Sequence, residues 1–230
     1  MIDSPSALRG RLETVRAGIG QACERVGRDP ATVLLVVVTK EVPERLIGWA
    51  VEAGCTELGE NYVKEMAAKV ELYPSARWHY VGALQGSTAH RVADAADVVH
   101  TLVPGRPAAR LAGRARRDGK RITALIQVDF TGRRAGIAPG DVPEFAREAT
   151  QLDGIELRGL MTLPPEPKRP DDSRPFFREL RELRDRVRGD ITGFDELSMG
   201  MSGDYEVAVE EGATMVRIGT ALFGERPLEH

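Results

Sequence analysis

The hydrophobic pattern of the chain centres on one uninterrupted apolar run, Leu34–Val38, which continues through Thr39 into Lys40. Because no polar residue alternates with the apolar ones, the run is typical of a strand buried on both faces, as in a parallel sheet. Ligands of α/β folds collect at the carboxyl ends of such strands, where Lys40 lies. Burial there would lower the pKa of its amine, and a neutral amine can form a Schiff base with an aldehyde. The alternative is a solvated lysine that only marks the end of a strand.

The rest of the chain alternates between short apolar strands and amphipathic helices. A first helix is predicted to begin at Ser4-Pro5 and to end at Gly27. Eight strands follow, each with a helix or helical start after it, at residues 34–40, 56–59, 77–81, 97–102, 122–128, 155–161, 196–199 and 214–218. This alternation requires parallel strands with right-handed crossovers, and eight of them favour a closed (β/α)8 TIM barrel with an extra N-terminal helix. An open, doubly wound sheet is the alternative, and it normally has fewer strands at this length.

Neither an internal repeat nor a break in composition divides the chain, so we predict a single domain over residues 1–230. The proline-rich stretch 164–170 is interpreted as a loop, because the strand–helix alternation resumes after it. Asp141 and Asp204 are predicted to cap the helices that follow them. Residues 228–230 resemble the start of a cloning tag and carry no functional argument.

The charge balance excludes several classes of partner. The 230 residues include 32 Lys and Arg and 35 Asp and Glu, giving a net charge of −3, which favours neither nucleic acid nor an anionic membrane. The two cysteines, Cys23 and Cys55, form no CxxC pair and no metal motif, so no metal site is predicted and a reduced compartment is expected. The N-terminus lacks the pattern of a signal peptide, and no apolar run approaches the ~18 residues of a membrane span. We therefore expect a cytoplasmic protein.

In a barrel, the carboxyl ends of all strands meet around one mouth. The candidate binding residues fall in or after those strand ends: Lys40, Asn61, His79, Met161, Met201, Ser202, Arg217, Gly219 and Thr220. Glycines in the loops after the last two strands let backbone amides approach a ligand, and with nearby hydroxyls they form an anion site. The first strand becomes the neighbour of the eighth when the barrel closes. An anion site beside an amine that traps aldehydes indicates pyridoxal phosphate.

Several of these residues have alternative structural roles. Arg217 lies in an apolar strand and needs a partner, which is either a glutamate of the second strand, Glu57 or Glu60, or the pyridine nitrogen of a cofactor. A permanently charged donor at that nitrogen would keep it unprotonated and make the ring a poor electron sink. His79 could instead be a hydrogen-bonded core histidine. Asn61 could be the cap of the helix that follows it, and Met161 could be core filler.

Six stretches of the chain resemble one known family, the pyridoxal phosphate homeostasis proteins of the YggS/PROSC type, which are alanine-racemase-like barrels. The matching stretches span nearly the whole chain in the same order: 37–40, 58–65, 78–85, 159–162, 197–204 and 215–224. The chain departs from the family pattern at 86–88 and at 131–137, where relatives usually carry lysines. Neither departure touches the candidate residues named above.

The resemblance implies a single (β/α)8 barrel with pyridoxal 5'-phosphate bound as an internal aldimine on Lys40. It implies that Arg217 faces the pyridine nitrogen and that Asn61 lies beside the cofactor. It also implies that the phosphate is held by Ser202, Gly219 and Thr220.

Members of the family bind, store or deliver the cofactor, and none has an established turnover. We therefore expect a non-enzymatic, monomeric homeostasis protein, with apo forms of cofactor-dependent enzymes as candidate recipients. A racemase or decarboxylase that uses the cofactor is the alternative, but racemisation needs an acid–base group on each face of the substrate carbon. In similar barrel racemases one of these groups comes from an added domain, which we expect this chain to lack. A cofactor-free aldolase acting through Lys40 is a third hypothesis, and the anion site argues against it.

Overall fold

The structure is a computed structural model that describes residues 2–224. Its strands are β1 (Leu34–Val38), β2 (Glu57–Glu60), β3 (Arg77–Tyr80), β4 (Val98–Leu102), β5 (Ile122–Val128), β6 (Ile155–Thr162), β7 (Glu196–Ser198) and β8 (Met215–Ile218). Its helices are α1 (Pro5–Arg25), α2 (Glu44–Glu52), α3 (Val63–Leu72), α4 (Ala89–Ala95), α5 (Arg106–Arg117), α6 (Val142–Thr150), α7 (Arg174–Arg188), α8 (Tyr205–Glu210) and α9 (Thr220–Phe223). Short 3-10 turns lie at Pro30–Thr32, Pro139–Asp141 and Pro170–Ser173.

The eight strands form a closed barrel in sequence order, and every neighbouring pair is parallel. The barrel closes between β1 and β8, where Leu34 pairs with Met215 and Val37 with Ile218. This closure confirms the predicted (β/α)8 barrel and excludes the open sheet, in which the first and last strands would be edges.

The extra N-terminal helix is also confirmed. The side chain of Ser4 accepts a hydrogen bond from the amide of Ala7 at 3.3 Å, which satisfies one of the amides that the first turn of α1 leaves free. The buried face of α1, which includes Leu8, Leu12 and Val15, packs towards α2, α8 and α9. The helix therefore covers the region where the barrel closes.

Side chains of β8 alternate between two apolar layers. Val216 and Ile218 point outwards into the main core between the barrel and its helices, and Met215 points inwards. All three side chains are buried, as the apolar strand pattern predicts. Within residues 2–224, no helix is both long enough and apolar enough to cross a membrane.

Three details differ from the sequence-based expectations. The strand β1 ends at Val38, so Lys40 lies in a turn two residues beyond it. Asp141 and Asp204 precede their helices but do not cap them through their side chains. The carboxylate of Asp204 instead accepts hydrogen bonds from the Met201 amide and the Ser173 hydroxyl, both at 2.7 Å, and so holds the loop after β7.

Candidate functional site

A cavity of about 620 Å³ opens at the carboxyl ends of the barrel strands. Seven of the nine predicted binding residues line it: Lys40, Asn61, Met201, Ser202, Arg217, Gly219 and Thr220. They come from the ends of β1, β2, β7 and β8, which are far apart in sequence and adjacent in the barrel. Closure of the barrel therefore brings an amine, a guanidinium and two hydroxyls to one cavity.

Lys40 lies half-buried in the turn after β1, and helix α3 holds the backbone on both sides of it. The carbonyl of Thr39 accepts a hydrogen bond from Nζ of Lys69 at 2.8 Å, and the amide of Glu41 donates to Glu65 at 3.0 Å. Glu41 has a φ of 57°, a left-handed conformation that costs a non-glycine residue about 1 kcal/mol or more. Because its surroundings impose this conformation, the turn fixes the direction in which Lys40 leaves the backbone.

A buried carboxylate, Glu60, completes the support behind Lys40. Its Oε1 accepts hydrogen bonds from the Thr39 hydroxyl at 2.7 Å and from Lys69 at 2.5 Å. Burial raises the pKa of Glu60 by more than the contacts with Lys69 and Thr39 lower it. Among residues 2–224, Glu60 pairs with Lys69 and forms no ion pair with Arg217, which was one of the sequence-based alternatives.

The wall of the cavity formed by the loops after β7 and β8, next to β1, carries hydroxyl and amide groups. Oγ of Ser202 accepts a hydrogen bond from the amide of Ala221 at 3.1 Å, so the loop after β7 and the start of α9 are in direct contact. A Cβ atom at Gly219 would lie 3.3 Å from the carbonyl oxygen of Val38 and 3.6 Å from its Cβ, which is a tight fit. Glycine there lets the chain of β8 turn close to β1, and Thr220 follows at the first position of α9. These groups can surround an anion.

Arg217 points from β8 into the barrel beneath this wall and is almost fully buried. Its Nη1 donates to Oγ of Ser198 at 2.6 Å, and its Nη2 donates to the carbonyl of Thr162 at 3.0 Å. Burial lowers the pKa of Arg217 to about 10, and the charge of Asp204 opposes that shift. Among residues 2–224 the structure shows no direct ion pair of Arg217 with a carboxylate, because Glu57 binds a histidine instead.

Asn61 reaches the cavity wall from the loop after β2. Helix α3 begins at Val63 with Tyr62 as its N-cap residue, so Asn61 lies before the cap and does not form it. The backbone of Asn61 packs directly on Gly82, where a Cβ atom would lie only 2.0 Å from the Asn61 carbonyl oxygen. Glycine at position 82 is therefore required for Asn61 to reach the cavity.

Comparison with known proteins places the chain in a family. The family model for the alanine racemase N-terminal domain matches residues 28–227. The curated pyridoxal phosphate homeostasis protein of Aquifex aeolicus is 38% identical over 221 residues, which cover 94% of this chain and 97% of the relative. The protein of the same name from Vibrio alginolyticus is 37% identical over 229 residues, which cover 96% of this chain and 98% of the relative.

The chain belongs to the pyridoxal phosphate homeostasis protein family. A solved structure of PipY from Synechococcus elongatus, described with pyridoxal phosphate bound, is similar over the same length. The similarity has a TM-score of 0.83 at 31% identity and covers 94% of this chain and 100% of PipY. The resemblance that the sequence motifs indicated is thus confirmed.

Two predicted binding residues of this family member lie below the cavity and do not line it. His79 is fully buried on β3 and is hydrogen-bonded to Glu57 and His100. Met161 is fully buried on β6 and packs with Leu125 and Met215 inside the barrel. Their surroundings agree with the structural alternatives, a hydrogen-bonded core histidine and core filler.

The sequence interpretation missed the charged rim of the cavity. Arg134 from the loop after β5, and Glu166 and Lys168 from the proline-rich loop after β6, also line it. The amide of Arg134 donates to Asp129 at 2.8 Å, which ties its loop to the end of β5. Strand-to-helix loops of a barrel all gather at one end, and that rule alone would have predicted these residues at the mouth.

Proposed function

We propose that this protein binds pyridoxal 5'-phosphate covalently through Lys40 and serves in the homeostasis of that cofactor, with no catalytic turnover of its own. One observation carries the proposal: Lys40, an anion-binding wall and the guanidinium of Arg217 line the same cavity. These are the groups that an aldehyde, a phosphate and a pyridine nitrogen require. The name of the curated relatives and the PipY complex support the same ligand.

The donor set of the cavity fits this cofactor residue by residue. The amine of Lys40 would hold the aldehyde carbon, and the neighbouring wall after β7 and β8 would hold the phosphate with Ser202, Gly219 and Thr220. Asn61, Met201 and Arg217 would surround the ring, with Arg217 nearest the pyridine nitrogen. The free cofactor supplies a reactive aldehyde, so its sequestration by a protein protects other amines of the cell.

The character of Arg217 supports binding and delivery over amino-acid chemistry. A guanidinium donates hydrogen bonds and accepts none, so it leaves a pyridine nitrogen opposite it unprotonated. An unprotonated ring withdraws electrons weakly, which disfavours the carbanions that racemases and decarboxylases must stabilise. No specific contact in the described residues favours those enzymes over a homeostasis role.

The recipients and the location are further parts of the proposal. Apo forms of enzymes that depend on this cofactor are the expected recipients, since they carry their own amine and phosphate sites. The two cysteines, Cys23 and Cys55, are free and buried, which supports a reduced compartment such as the cytoplasm. We also propose that the chain acts as a monomer.

Cofactor retention after purification tests the proposal. The Lys40→Ala variant should lose the bound cofactor on gel filtration, whereas Lys64→Ala, a matched change on an exposed face of α3, should retain it. Incubation of the loaded wild-type protein with either alanine isomer should give no racemisation above background. Retention by Lys40→Ala equal to that of Lys64→Ala would contradict the assignment, and steady turnover would support the racemase alternative.

A further inference from the structure

A continuous line of hydrogen bonds crosses the interior of the barrel from Arg217 to Glu57. Nη1 of Arg217 contacts Oγ of Ser198 at 2.6 Å, and that Oγ contacts Nδ1 of His100 at 2.7 Å. Nε2 of His100 contacts Nδ1 of His79 at 2.8 Å, and Nε2 of His79 contacts Oε2 of Glu57 at 2.6 Å. The line joins strands β8, β7, β4, β3 and β2, and the binding site described above includes only its first member.

The chemistry of the two ends fixes the direction of this line. Arg217 can only donate, so the hydroxyl of Ser198 accepts from it and has its own proton left to give. The carboxylate of Glu57 accepts, so the proton of His79 lies on Nε2. If His100 donated to Ser198 from Nδ1, its Nε2 would have to accept from Nδ1 of His79. That order would give His79 two protons and a positive charge in a fully buried position.

Burial opposes that charged alternative. Desolvation lowers the pKa of His79 although the contact with Glu57 raises it, and Arg77 and Asp97 also act on this ring in opposite senses. Desolvation, with the charges of Arg217 and Arg77, holds the pKa of His100 well below its usual value. Neutral rings leave one consistent order, in which every group donates towards Glu57.

The two ends of the line lie at opposite ends of the barrel. Arg217 lines the mouth cavity, and Glu57, the first residue of β2, lines a second cavity of about 390 Å³ near the amino ends of the strands. The carboxylate of Glu57 also lies 4.0 Å from Arg77. Among the described residues, the guanidinium of Arg217 has no direct carboxylate partner. The negative charge of Glu57 acts on it instead through the hydrogen bonds of three neutral groups, which polarise one another.

We propose that Ser198, His100 and His79 are positioning residues that form a one-way hydrogen-bond relay, which aims the guanidinium of Arg217 at the mouth cavity and couples it to Glu57. The effect on the cofactor rests on the proposed function, because Arg217 acts on the pyridine nitrogen only if that ring is bound there. The direction of the relay does not rest on it. The relay gives a role to two histidines and a serine that are fully buried inside the barrel.

The direction is tested by nitrogen-15 NMR of the imidazole rings in the full-length protein. Between about pH 6 and 8 we expect His79 and His100 to be neutral with the proton on Nε2. Assignment uses the single variants His79→Gln, His100→Gln and His90→Gln, the last at an exposed histidine of α4. A doubly protonated His79, or a proton on Nδ1 of His100, would overturn the proposed direction.

The effect on the cofactor is tested by breaking the relay and restoring it. His100→Leu removes both hydrogen bonds, whereas the amide of His100→Gln offers one acceptor and one donor spaced like the two ring nitrogens. Relative to His90→Gln, we expect His100→Leu to shift the visible absorption of the bound cofactor and to weaken its retention on the order of tenfold. We expect His100→Gln to recover most of the wild-type absorption and most of the wild-type retention. Should His100→Leu fold poorly, Ser198→Ala interrupts the same line with the loss of a single oxygen, and the same shift is expected.

The outcomes separate this relay from the proposed function. If borohydride fixes the cofactor on Lys40 and both His100→Leu and Ser198→Ala keep the wild-type absorption and retention, the relay has no positioning role. If borohydride fixes no cofactor on the wild-type protein, the proposed function fails. The imidazole spectra then decide the direction of the relay by themselves.

Discussion

Two regions of the barrel interior differ in chemistry under one cavity, and we call them its apolar half and its polar half. On one side, Leu125, Met161 and Met215 form an apolar cluster with no hydrogen-bonding requirement. On the other side lie buried polar groups, each with a defined partner, from Glu57 through two histidines to Ser198. Met215 and Arg217 are two residues apart on β8, yet Met215 belongs to the apolar cluster and Arg217 to the hydrogen-bonded line.

The contrast shows which part of the interior can tolerate substitution. An apolar cluster is stabilised by volume and shape, so another apolar residue of similar size can replace a member at small cost. A buried hydrogen-bond line is stabilised only while every donor has its acceptor, and loss of one member leaves its neighbours unsatisfied. The polar half therefore specifies the geometry of the site, whereas the apolar half mainly supplies stability.

The largest predicted effect compares one substitution in each half. His100→Leu should lower the free energy of unfolding by about 2–4 kcal/mol, because both Ser198 and His79 lose a buried partner. Met161→Leu conserves volume and should cost less than about 1.5 kcal/mol. Urea denaturation of the two variants measures both values. Equal losses of unfolding free energy in the two variants would show that the two halves do not differ in their tolerance of substitution.

A smaller effect is predicted at the mouth, above both halves. Ser202→Ala and Thr220→Val should each weaken cofactor binding by about 1–3 kcal/mol, as expected for lost hydrogen bonds to a charged group. The cofactor-free proteins should lose no more than about 1 kcal/mol of stability, since neither residue belongs to the interior. Equilibrium dialysis measures the affinity for the cofactor, and urea denaturation measures the stability of the cofactor-free proteins. Unchanged affinity in both variants would place the phosphate elsewhere.

The polar half should contribute to the pH dependence of stability, and the apolar half should not. The pKa values of His79, His100 and Glu57 all lie below their ordinary values in the fold, so the unfolded chain binds more protons in acid. The free energy of unfolding should therefore fall as the pH drops below 6.5, the ordinary value for histidine, and fall further as Glu57 is protonated.

The magnitude of this pH effect is bounded by proton linkage. Each extra proton bound by the unfolded chain changes the free energy of unfolding by about 1.4 kcal/mol per pH unit. His100→Gln should flatten the profile between about pH 5 and 7, and Met161→Leu should leave it unchanged. Urea titrations at several pH values measure the slopes, and parallel profiles for the two variants would argue against neutral histidines.

Most of the fold followed from the sequence because its signals are local. The apolar run before Lys40 and its seven counterparts predicted the barrel, and Ser4 predicted the start of α1. Strand order then placed seven of the nine candidate residues around one cavity. Local patterns specify elements, and the topology of parallel strands specifies which ends meet.

The remaining features depend on contacts between distant residues, which a single sequence does not reveal. Asp204 holds the N-cap position that was predicted, but its side chain does not cap α8 because its carboxylate binds Ser173, 31 positions earlier in the chain. Arg217 was expected to need a partner, but that partner is Ser198 on the neighbouring strand and, through it, His100. His100 carried no local signal, since a histidine within an apolar strand is consistent with several roles.

The central claim is a covalent bond between the cofactor and one lysine, and reduction followed by mass spectrometry tests it most directly. The protein is loaded with pyridoxal 5'-phosphate, reduced with borohydride, weighed intact and mapped by peptide digestion. We expect one adduct per chain, on the peptide that contains Lys40. The absence of an adduct, or an adduct on another lysine such as Lys64 or Lys69, would contradict the proposed function.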